Sequence, residues 1–293
     1  VLFKPKDSYR ERWGGNPTQG TPAGSNPMSG VILSFYLPEG ISNVKFEFID
    51  ANGENFMSFD RGGFQKGAHR VSTDLRYSSF RPVQGMIMWA AGARPIPAPP
   101  GEYTVRMTAG DTTVEQKFRL VRDPRSVSTD EDLIEQWRFA REISAKTDEA
   151  NNAVSKIRDL KTKLDASIKS AKDKNLNTVI ISQLEKNAND LKTKLSAIEE
   201  EIYQVRLQSG QDPLNYPIKL NNKIAALLGV VLTGDFRPTE QAYEVFDMLS
   251  KQLNMQLLLL EEALHNELTS FNARLKELGI DEVKSSINLN AED

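Results

Sequence analysis

Few residues of this sequence could serve in acid-base catalysis or metal binding by histidine, because its 293 residues include two histidines, His69 and His265. Glu262 precedes His265 by three residues, and on a helix this spacing puts a carboxylate and an imidazole on one face, as in di-iron helical bundles. Such a centre needs a second copy of the motif, and no other predicted helix contains a histidine. We therefore interpret Glu262 and His265 as surface residues and expect no metal-binding residue.

Other arrangements associated with catalysis are also missing from the sequence. There is no cysteine, which excludes disulfides, thiolate metal sites and a cysteine nucleophile. Neither the Gly-x-Ser-x-Gly motif of hydrolases nor the Gly-x-x-x-x-Gly-Lys motif that binds phosphate occurs. Asp50, Asn52 and Glu54 have the spacing that begins a calcium loop, but Asn55 stands where that loop needs glycine, so we predict a hairpin turn. We expect no catalytic residue, no cofactor and no enzymatic activity in this chain.

Apolar side chains in predicted loops are the best candidates for binding, since they fall outside any alternating strand pattern. They could pack on a neighbouring domain, stack on a sugar ring or cover the sheet. The candidates for a docking or ligand surface are Trp13, Tyr77, Phe80, Met86, Ile87, Met88 and Trp89. We predict that residues 85–100, together with 1–26, meet another part of a larger protein or a partner chain. The alternative is local packing on the first helix near Trp137.

Period-two alternation predicts six or seven short strands within the first 124 residues. Val31, Leu33 and Phe35 are separated by single residues, and similar alternation recurs at intervals as far as Leu120. Short strands at this spacing, with glycine and proline turns between them, indicate an antiparallel sandwich. We predict an irregular tether over 1–26 and an immunoglobulin-like β-sandwich over 27–124.

After residue 124 the apolar period changes from two to about 3.6, which is typical of amphipathic helices. Two long helices are separated by Lys174 and Asn175, a shorter one covers 218–232, and Thr239 begins a long last helix. We predict an elongated antiparallel four-helix bundle with one short helix over 125–280, followed by a flexible tail over 281–293. The expected fold class is α+β with more than one domain.

Charge and hydropathy exclude two classes of partner. The chain has 37 Lys and Arg against 40 Asp and Glu, a net charge of -3, so it lacks the basic surface of a nucleic-acid-binding protein. It has no run of about 18 apolar residues, so we expect no membrane span. The chain begins at Val1 without a charged and apolar leader, and we expect it to be part of a longer protein.

Five segments of the sequence stand out as motifs: Asp74-Leu75-Arg76-Tyr77, Gly85-Met86-Ile87-Met88-Trp89, Pro100-Gly101-Glu102-Tyr103-Thr104-Val105-Arg106, Pro213-Leu214-Asn215-Tyr216-Pro217-Ile218-Lys219-Leu220-Asn221-Asn222-Lys223 and Gly234-Asp235-Phe236-Arg237-Pro238-Thr239. These segments resemble the C-terminal region of bacterial sortilin-like, glycosyl-hydrolase-type β-propeller proteins. The resemblance covers most of the chain, but the propeller that carries the family's hydrolase description is absent from it.

The resemblance implies a non-catalytic structural or docking module of a larger secreted or surface protein. Its partner would be the N-terminal β-propeller of the same protein or a separate protein chain, and its location would be extracytoplasmic, that is periplasmic, surface-bound or secreted. The alternative function is a carbohydrate-binding accessory module of a glycoside hydrolase, with a glycan as the ligand.

Overall fold

The computed structural model describes residues 1–10 and 28–284, which form a mixed α+β fold: a five-stranded sheet with two small sheets, followed by helices. The strands are β1 (Ser8–Arg10), β2 (Val31–Leu37), β3 (Val44–Ile49), β4 (Asn55–Arg61), β5 (Gly67–Thr73), β6 (Arg76–Tyr77), β7 (Ile96–Pro97), β8 (Gly101–Ala109) and β9 (Thr112–Arg122).

The helices are α1 (Asp130–Asp173), α2 (Thr178–Ile202), α3 (Leu220–Val231), α4 (Glu240–Ala263) and α5 (Thr269–Glu277). A five-residue π-helical segment, Leu264–Leu268, joins α4 to α5, so the last helix runs without a break from Glu240 to Glu277. A short 3-10 turn, Asp212–Leu214, precedes α3.

The large sheet has the strand order β1-β9-β8-β3-β4, and β2 with β5 and β6 with β7 form two-stranded sheets. All pairs are antiparallel except β1 with β9, which is parallel. Phe35 of β2 and Phe46 of β3 are both fully buried, and their ring centroids are 5.4 Å apart. Alternating apolar residues therefore meet in one core, as the period-two pattern predicts.

Local signals in the sequence account for the turns and helix ends. Asp50 accepts hydrogen bonds from the backbone N–H groups of Asn52 and Glu54, and Gly53 has a φ of 85°, which makes the predicted hairpin between β3 and β4. Thr129 accepts from the Asp132 N–H while Asp132 accepts from the Thr129 N–H, a reciprocal cap at the start of α1.

The first ten residues are not an irregular tether. Leu2 is buried and pairs with Phe35, and β1 lies along β9 with Ser8 opposite Leu120. The start of the predicted tail is also ordered, because Asn272 exchanges two side-chain hydrogen bonds with the backbone of Val283, which is buried. In both segments a few apolar side chains reach a core that no local periodicity shows. Residues 11–26 of the tether and 285–293 of the tail lie outside the described residues.

The chain divides into two compact units that interleave along the sequence, whereas the sequence pattern predicts a sandwich and a bundle in linear order. Unit 1 comprises Val1–Ser79, Arg94–Arg141 and Val231–Pro238. Unit 2 comprises Phe80–Ala93, Glu142–Val230 and Thr239–Asp293. The first 12 residues of α1 thus belong with the sheets, and the loop of residues 80–93, called here the 80–93 loop, belongs with the helices.

Within the described residues, no helix combines the length and the apolar character that crossing a membrane requires.

Candidate functional site

Tyr77, one of the predicted binding residues, is an internal residue of unit 1. Its ring stacks on Phe56 with 4.1 Å between centroids, and it lies 5.2 Å from the ring of Trp137 on α1. Its hydroxyl donates to Asp50 over 3.0 Å. Burial, with the neighbouring Tyr103 hydroxyl and Asp50, raises the pKa of Tyr77. Since the side chain is only 3% exposed, Tyr77 contributes to folding of unit 1 and offers no free surface.

A cation covers the aromatic pair in unit 1. The Arg141 guanidinium lies 5.0 Å from the Tyr77 ring centroid and 5.3 Å from that of Trp137, and it forms two hydrogen bonds to the Glu54 carboxylate. Cation–π and ion-pair contacts of this kind orient side chains at a partly exposed site. The cluster connects the β3–β4 hairpin to α1.

The surface predicted over residues 85–100 is divided between the two units. Residues 94–100 belong to unit 1, where β7 pairs with β6 and residues 96–99 are buried. Residues 85–93 belong to unit 2. Phe80, another candidate, is 2% exposed, and Trp13 lies outside the described residues.

Polar side chains of the helices hold the 80–93 loop in unit 2. On α1, Asp148 accepts a hydrogen bond from the Arg81 backbone N–H over 2.7 Å, and Asn151 donates to the Arg81 carbonyl over 3.3 Å. The Tyr203 hydroxyl, just after α2, accepts from the Ile87 N–H over 3.1 Å. Burial raises the pKa of Asp148, although its contacts with Arg81 oppose that shift. The first helix thus holds part of the loop, at Asp148 and Asn151 and not near Trp137, the place that the alternative interpretation of the sequence gives.

Asn222 of α3 fixes the backbone at Trp89 from both sides. The Trp89 N–H donates to the Asn222 Oδ1 over 2.7 Å, and the Asn222 Nδ2 donates to the Trp89 carbonyl over 2.9 Å. Asn222 is 3% exposed, so this pair of bonds is anchored in the interior of the unit. Ala90 follows with a φ of 52°, a left-handed conformation that an alanine adopts at a cost of about 1 kcal/mol or more.

The Trp89 side chain remains 46% exposed, while Met86, Ile87 and Met88 are half-buried. A large, flat aromatic ring on a backbone that is fixed by two hydrogen bonds to a buried side chain is suited to binding, because little conformational freedom is lost on contact. Of the six predicted residues that lie in the described part of the chain, Trp89 is the one whose side chain is exposed at a defined place.

Sequence reasoning missed the asparagines that support this loop. Asn151, Asn221 and Asn222 are each 3% exposed or less, and Asn221 donates to Asn151 over 3.2 Å. The helical pattern could have identified them, because these asparagines occupy positions of α1 and α3 that the 3.6-residue period assigns to the buried face. A buried amide at such a position needs partners, and a loop backbone supplies them.

Unit 1 contains a second network that the sequence does not suggest. Arg10 of β1 forms an ion pair of 2.6 Å with Asp235, donates to the Ala98 carbonyl and donates to the side chain of Gln136 on α1. Gln136 in turn donates to the carbonyls of Val231 and Gly234. The network connects four separate parts of the chain, and no periodicity in the sequence indicates that they meet.

Glu262 and His265, which have the spacing of metal ligands, belong to no larger group of ligands in the described part of the chain. Residues 1–10 and 28–284 contain no group of three or more His, Asp or Glu side chains that could hold a metal ion. His265 lies in the π-helical segment and is exposed, as is Glu262.

Comparison with known proteins identifies no relative. No family model matches the chain, and no curated protein matches it significantly. A solved chain described as pT26-6p aligns with 84% of this chain at 13% identity and a TM-score of 0.15. This chain spans 46% of that one, and a likeness this low carries no argument about fold or function.

Proposed function

We propose that this chain is a non-catalytic docking module and that Trp89 is its main anchor for a partner protein. One observation carries the proposal: the buried Asn222 side chain bonds both the N–H and the C=O of Trp89, while the indole is 46% exposed. Tryptophans in such settings are frequent hot spots, where truncation to alanine costs about 2 kcal/mol or more of binding free energy.

The partner in this proposal is the remainder of a larger extracytoplasmic protein, the N-terminal β-propeller that the sequence resemblance implies, or a separate protein chain. The finer descriptions of the fold belong to the same proposal. The buried contact of Phe35 with Phe46 supports an immunoglobulin-like sandwich, and the lengths of α1, α2 and α4 support an antiparallel four-helix bundle.

A carbohydrate-binding accessory module is the second candidate, and the exposed indole also favours it, since flat aromatic rings stack on sugar rings. Tyr77 cannot share this role because it is buried. The binding platform would then consist of Trp89 with side chains around it, which is narrower than the set of aromatic residues that the sequence suggests.

Site-specific photocrosslinking tests the docking function. The full natural protein would carry a photoreactive phenylalanine analogue in place of Trp89 and, as a matched control, in place of Tyr216, a partly exposed aromatic residue of the same unit. We expect a discrete adduct from position 89, within the same polypeptide or to one partner, and none from position 216. Equal crosslinking at both positions would contradict the proposal.

Glycan arrays and substrate assays separate the other functions. The docking module should show no glycan signal that depends on Trp89, whereas the accessory module should lose its glycan binding in Trp89→Ala. The isolated chain should show no turnover of glycoside or peptide substrates. Turnover that exceeds the rate of a mock preparation would overturn the non-catalytic part of the proposal.

A further inference from the structure

A concave region of unit 1, called here the N-terminal cleft, lies between the first residues of the chain and the small β2–β5 sheet. Its volume is about 450 Å³, which is in the range of small-molecule sites. The Phe3 N–H donates to the Ser34 carbonyl of β2 over 3.0 Å, and the chain then leaves β2 and joins β9 as β1. The cleft is lined by residues 3–9, by Ile32 and Ser34 of β2 and by Arg70 of β5, among others.

One side of the N-terminal cleft is the face of the β2–β5 sheet that is turned away from the core. Alternate residues of β2 are buried, whereas Ile32 and Ser34 between them are half-buried and face outward. Arg70 is directly opposite Ser34 in the antiparallel register, and side chains so placed have Cβ atoms about 5 Å apart. The Arg70 guanidinium and the Ser34 hydroxyl can therefore bind the same group.

The other side of the cleft has a backbone that is already held in place. Pro5 is buried, the Lys6 carbonyl accepts a hydrogen bond from the Ser8 hydroxyl over 3.2 Å, and β1 is paired with β9. Lys4 and Lys6, on either side of Pro5, are exposed. Because the course of this backbone is fixed before a ligand binds, less conformational entropy is lost on binding.

Three cations in the lining of the cleft have no ion pair. Within the described residues Lys4, Lys6 and Arg70 make none, whereas other exposed cations of unit 1, such as Arg106, are paired with carboxylates. Asp7 also lines the cleft and is likewise unpaired. Three positive charges and one negative charge leave a local excess of two positive charges, although the whole chain has a net charge of -3.

This combination of charge and exposed rings suits an organic phosphate. A phosphate monoester carries about -1.5 to -2 charges at pH 7 and has three strong acceptor oxygens, which matches the excess charge and the donors of the cleft. A carboxylate brings a single charge and two oxygens. Phe3 and Tyr9 also line the cleft and are 52% and 48% exposed, so a ring attached to the phosphate can lie against one of them.

We propose that the N-terminal cleft binds a phosphate monoester of a small ring compound. Lys4, Lys6 and Arg70 hold the phosphate, and the planar guanidinium of Arg70 can donate two parallel hydrogen bonds to it. The ring lies against Phe3 or Tyr9. All residues of this site belong to unit 1, so the site is independent of the docking function proposed above for unit 2.

Calorimetric titration of the full chain with four small probes tests the proposal. The probes are phenyl phosphate, benzoate, inorganic phosphate and benzyl alcohol, which vary the charge and the ring separately. We expect phenyl phosphate to bind at least about 5-fold more tightly than benzoate or inorganic phosphate, and benzyl alcohol not to bind. Absence of phenyl phosphate binding, or equal affinity for benzoate or inorganic phosphate, would overturn the proposal.

Charge variants distinguish this site from a general attraction between the protein and anions. Arg70→Gln should weaken phenyl phosphate binding at least about 10-fold, because it removes charge-assisted hydrogen bonds. Arg61→Gln is the matched control and should leave the affinity unchanged. Arg61 is an exposed cation outside the cleft, on β4 at the opposite edge of the large sheet from β1. Equal losses in the two variants would contradict the proposal. If Arg70→Gln does not fold, Lys6→Gln serves as the same test.

Asp7→Asn gives a readout that damage to the fold would not produce. This variant removes the carboxylate that repels a phosphate in the cleft, so phenyl phosphate should bind more tightly than to the unchanged chain. Weaker or unchanged binding in Asp7→Asn would show that the phosphate does not lie in the N-terminal cleft and would overturn the proposal.

Discussion

The two units hold their non-local segments by different chemistry. Unit 1 uses an ion pair between the buried Arg10 and the partly exposed Asp235, extended by Gln136. Unit 2 holds the 80–93 loop largely by neutral amides, since Asn222 and Asn151 bond its backbone, while the Asp148 carboxylate accepts from a backbone N–H and not from a cation. Both networks join segments that are far apart in the sequence.

The difference determines how much stability each unit loses when one contact of these segments is broken. A buried charge that loses its partner keeps its full desolvation cost, so the ion pair of unit 1 makes its parts interdependent. A neutral amide that loses its partner costs less, because the desolvation of an amide is smaller. Breaking one contact of the loop that carries Trp89 should therefore cost less stability than breaking the ion pair of β1, which is compatible with the binding role proposed for the loop.

The largest expected effect is from Arg10→Ala, which leaves Asp235 and Gln136 without their buried partner. We expect a loss of about 3 kcal/mol in the free energy of unfolding, at the lower end for a buried pair because Asp235 is partly exposed, measured by denaturant titration. Arg125→Ala is the control, because Arg125 forms an exposed ion pair with Asp123 in the same unit. A loss below about 1 kcal/mol in Arg10→Ala would show that the network is not structural.

A smaller effect is expected from Asn222→Ala, which removes both hydrogen bonds to Trp89. The free energy of unfolding should fall by about 2 kcal/mol, because the buried partners of the amide are left unsatisfied. Hydrogen exchange at the amide of Trp89 should accelerate with it, whereas Asn187→Ala, at an exposed position of α2, should change neither quantity. Unchanged exchange at Trp89 would mean that other contacts fix the loop.

The charge on Asp148 should give unit 2 a pH dependence that its asparagines lack. Burial raises the pKa of Asp148 in the folded state, so the folded chain binds this proton more tightly than the unfolded chain does. The free energy of unfolding should therefore decrease as the pH rises above the ordinary aspartate range, near about 4. Asp148→Asn preserves the acceptor for the Arg81 N–H and should remove this decrease, as seen in the difference between the two proteins from denaturant titrations at several pH values. A parallel pH profile in the variant would exclude this carboxyl as the cause.

The smallest effect is expected from Lys251→Ala, which breaks the exposed pair with Asp247 on α4. Exposed pairs four residues apart contribute about 0.3–0.5 kcal/mol at most, so the thermal midpoint should hardly move and added salt should reduce the difference further. A loss of unfolding free energy comparable with that of Asn222→Ala would indicate that an exposed ion pair stabilises unit 2 as much as its buried amide does. The contrast drawn between the two units would then not hold.

The elements with strong local periodicity could be predicted from the sequence, and the networks could not. Val31, Leu33 and Phe35 alternate, and Thr129 and Thr239 mark helix starts, because each signal acts within a few residues. Arg10 gives no such signal, since its partners lie 88 residues and more away along the chain.

The candidate site also combines a residue that the sequence indicates with a support that it does not. Trp89 is recognisable in the sequence as an aromatic residue outside any strand pattern, but its support by Asn222 comes from a residue 133 positions later. The interleaving of the units has the same origin, since side-chain hydrogen bonds that carry no sequence period decide which unit the 80–93 loop joins. The prediction of Tyr77 as a binding residue fails for the same reason, because the neighbours that bury it, Phe56 and Trp137, are remote in the sequence.

The π-helical segment also bears on the ancestry of the last helix. A π-bulge corresponds to one residue inserted into an α-helix, and each residue of an α-helix turns the chain by about 100°. Phe271 and Leu275, which are buried in α5, lie beyond this segment, so side chains still face the core after the extra residue. Related chains that lack one residue between positions 264 and 268 could continue as a regular α-helix with the same side chains facing the core, so an unchanged apolar pattern after a one-residue gap would mark the lineages without the insertion.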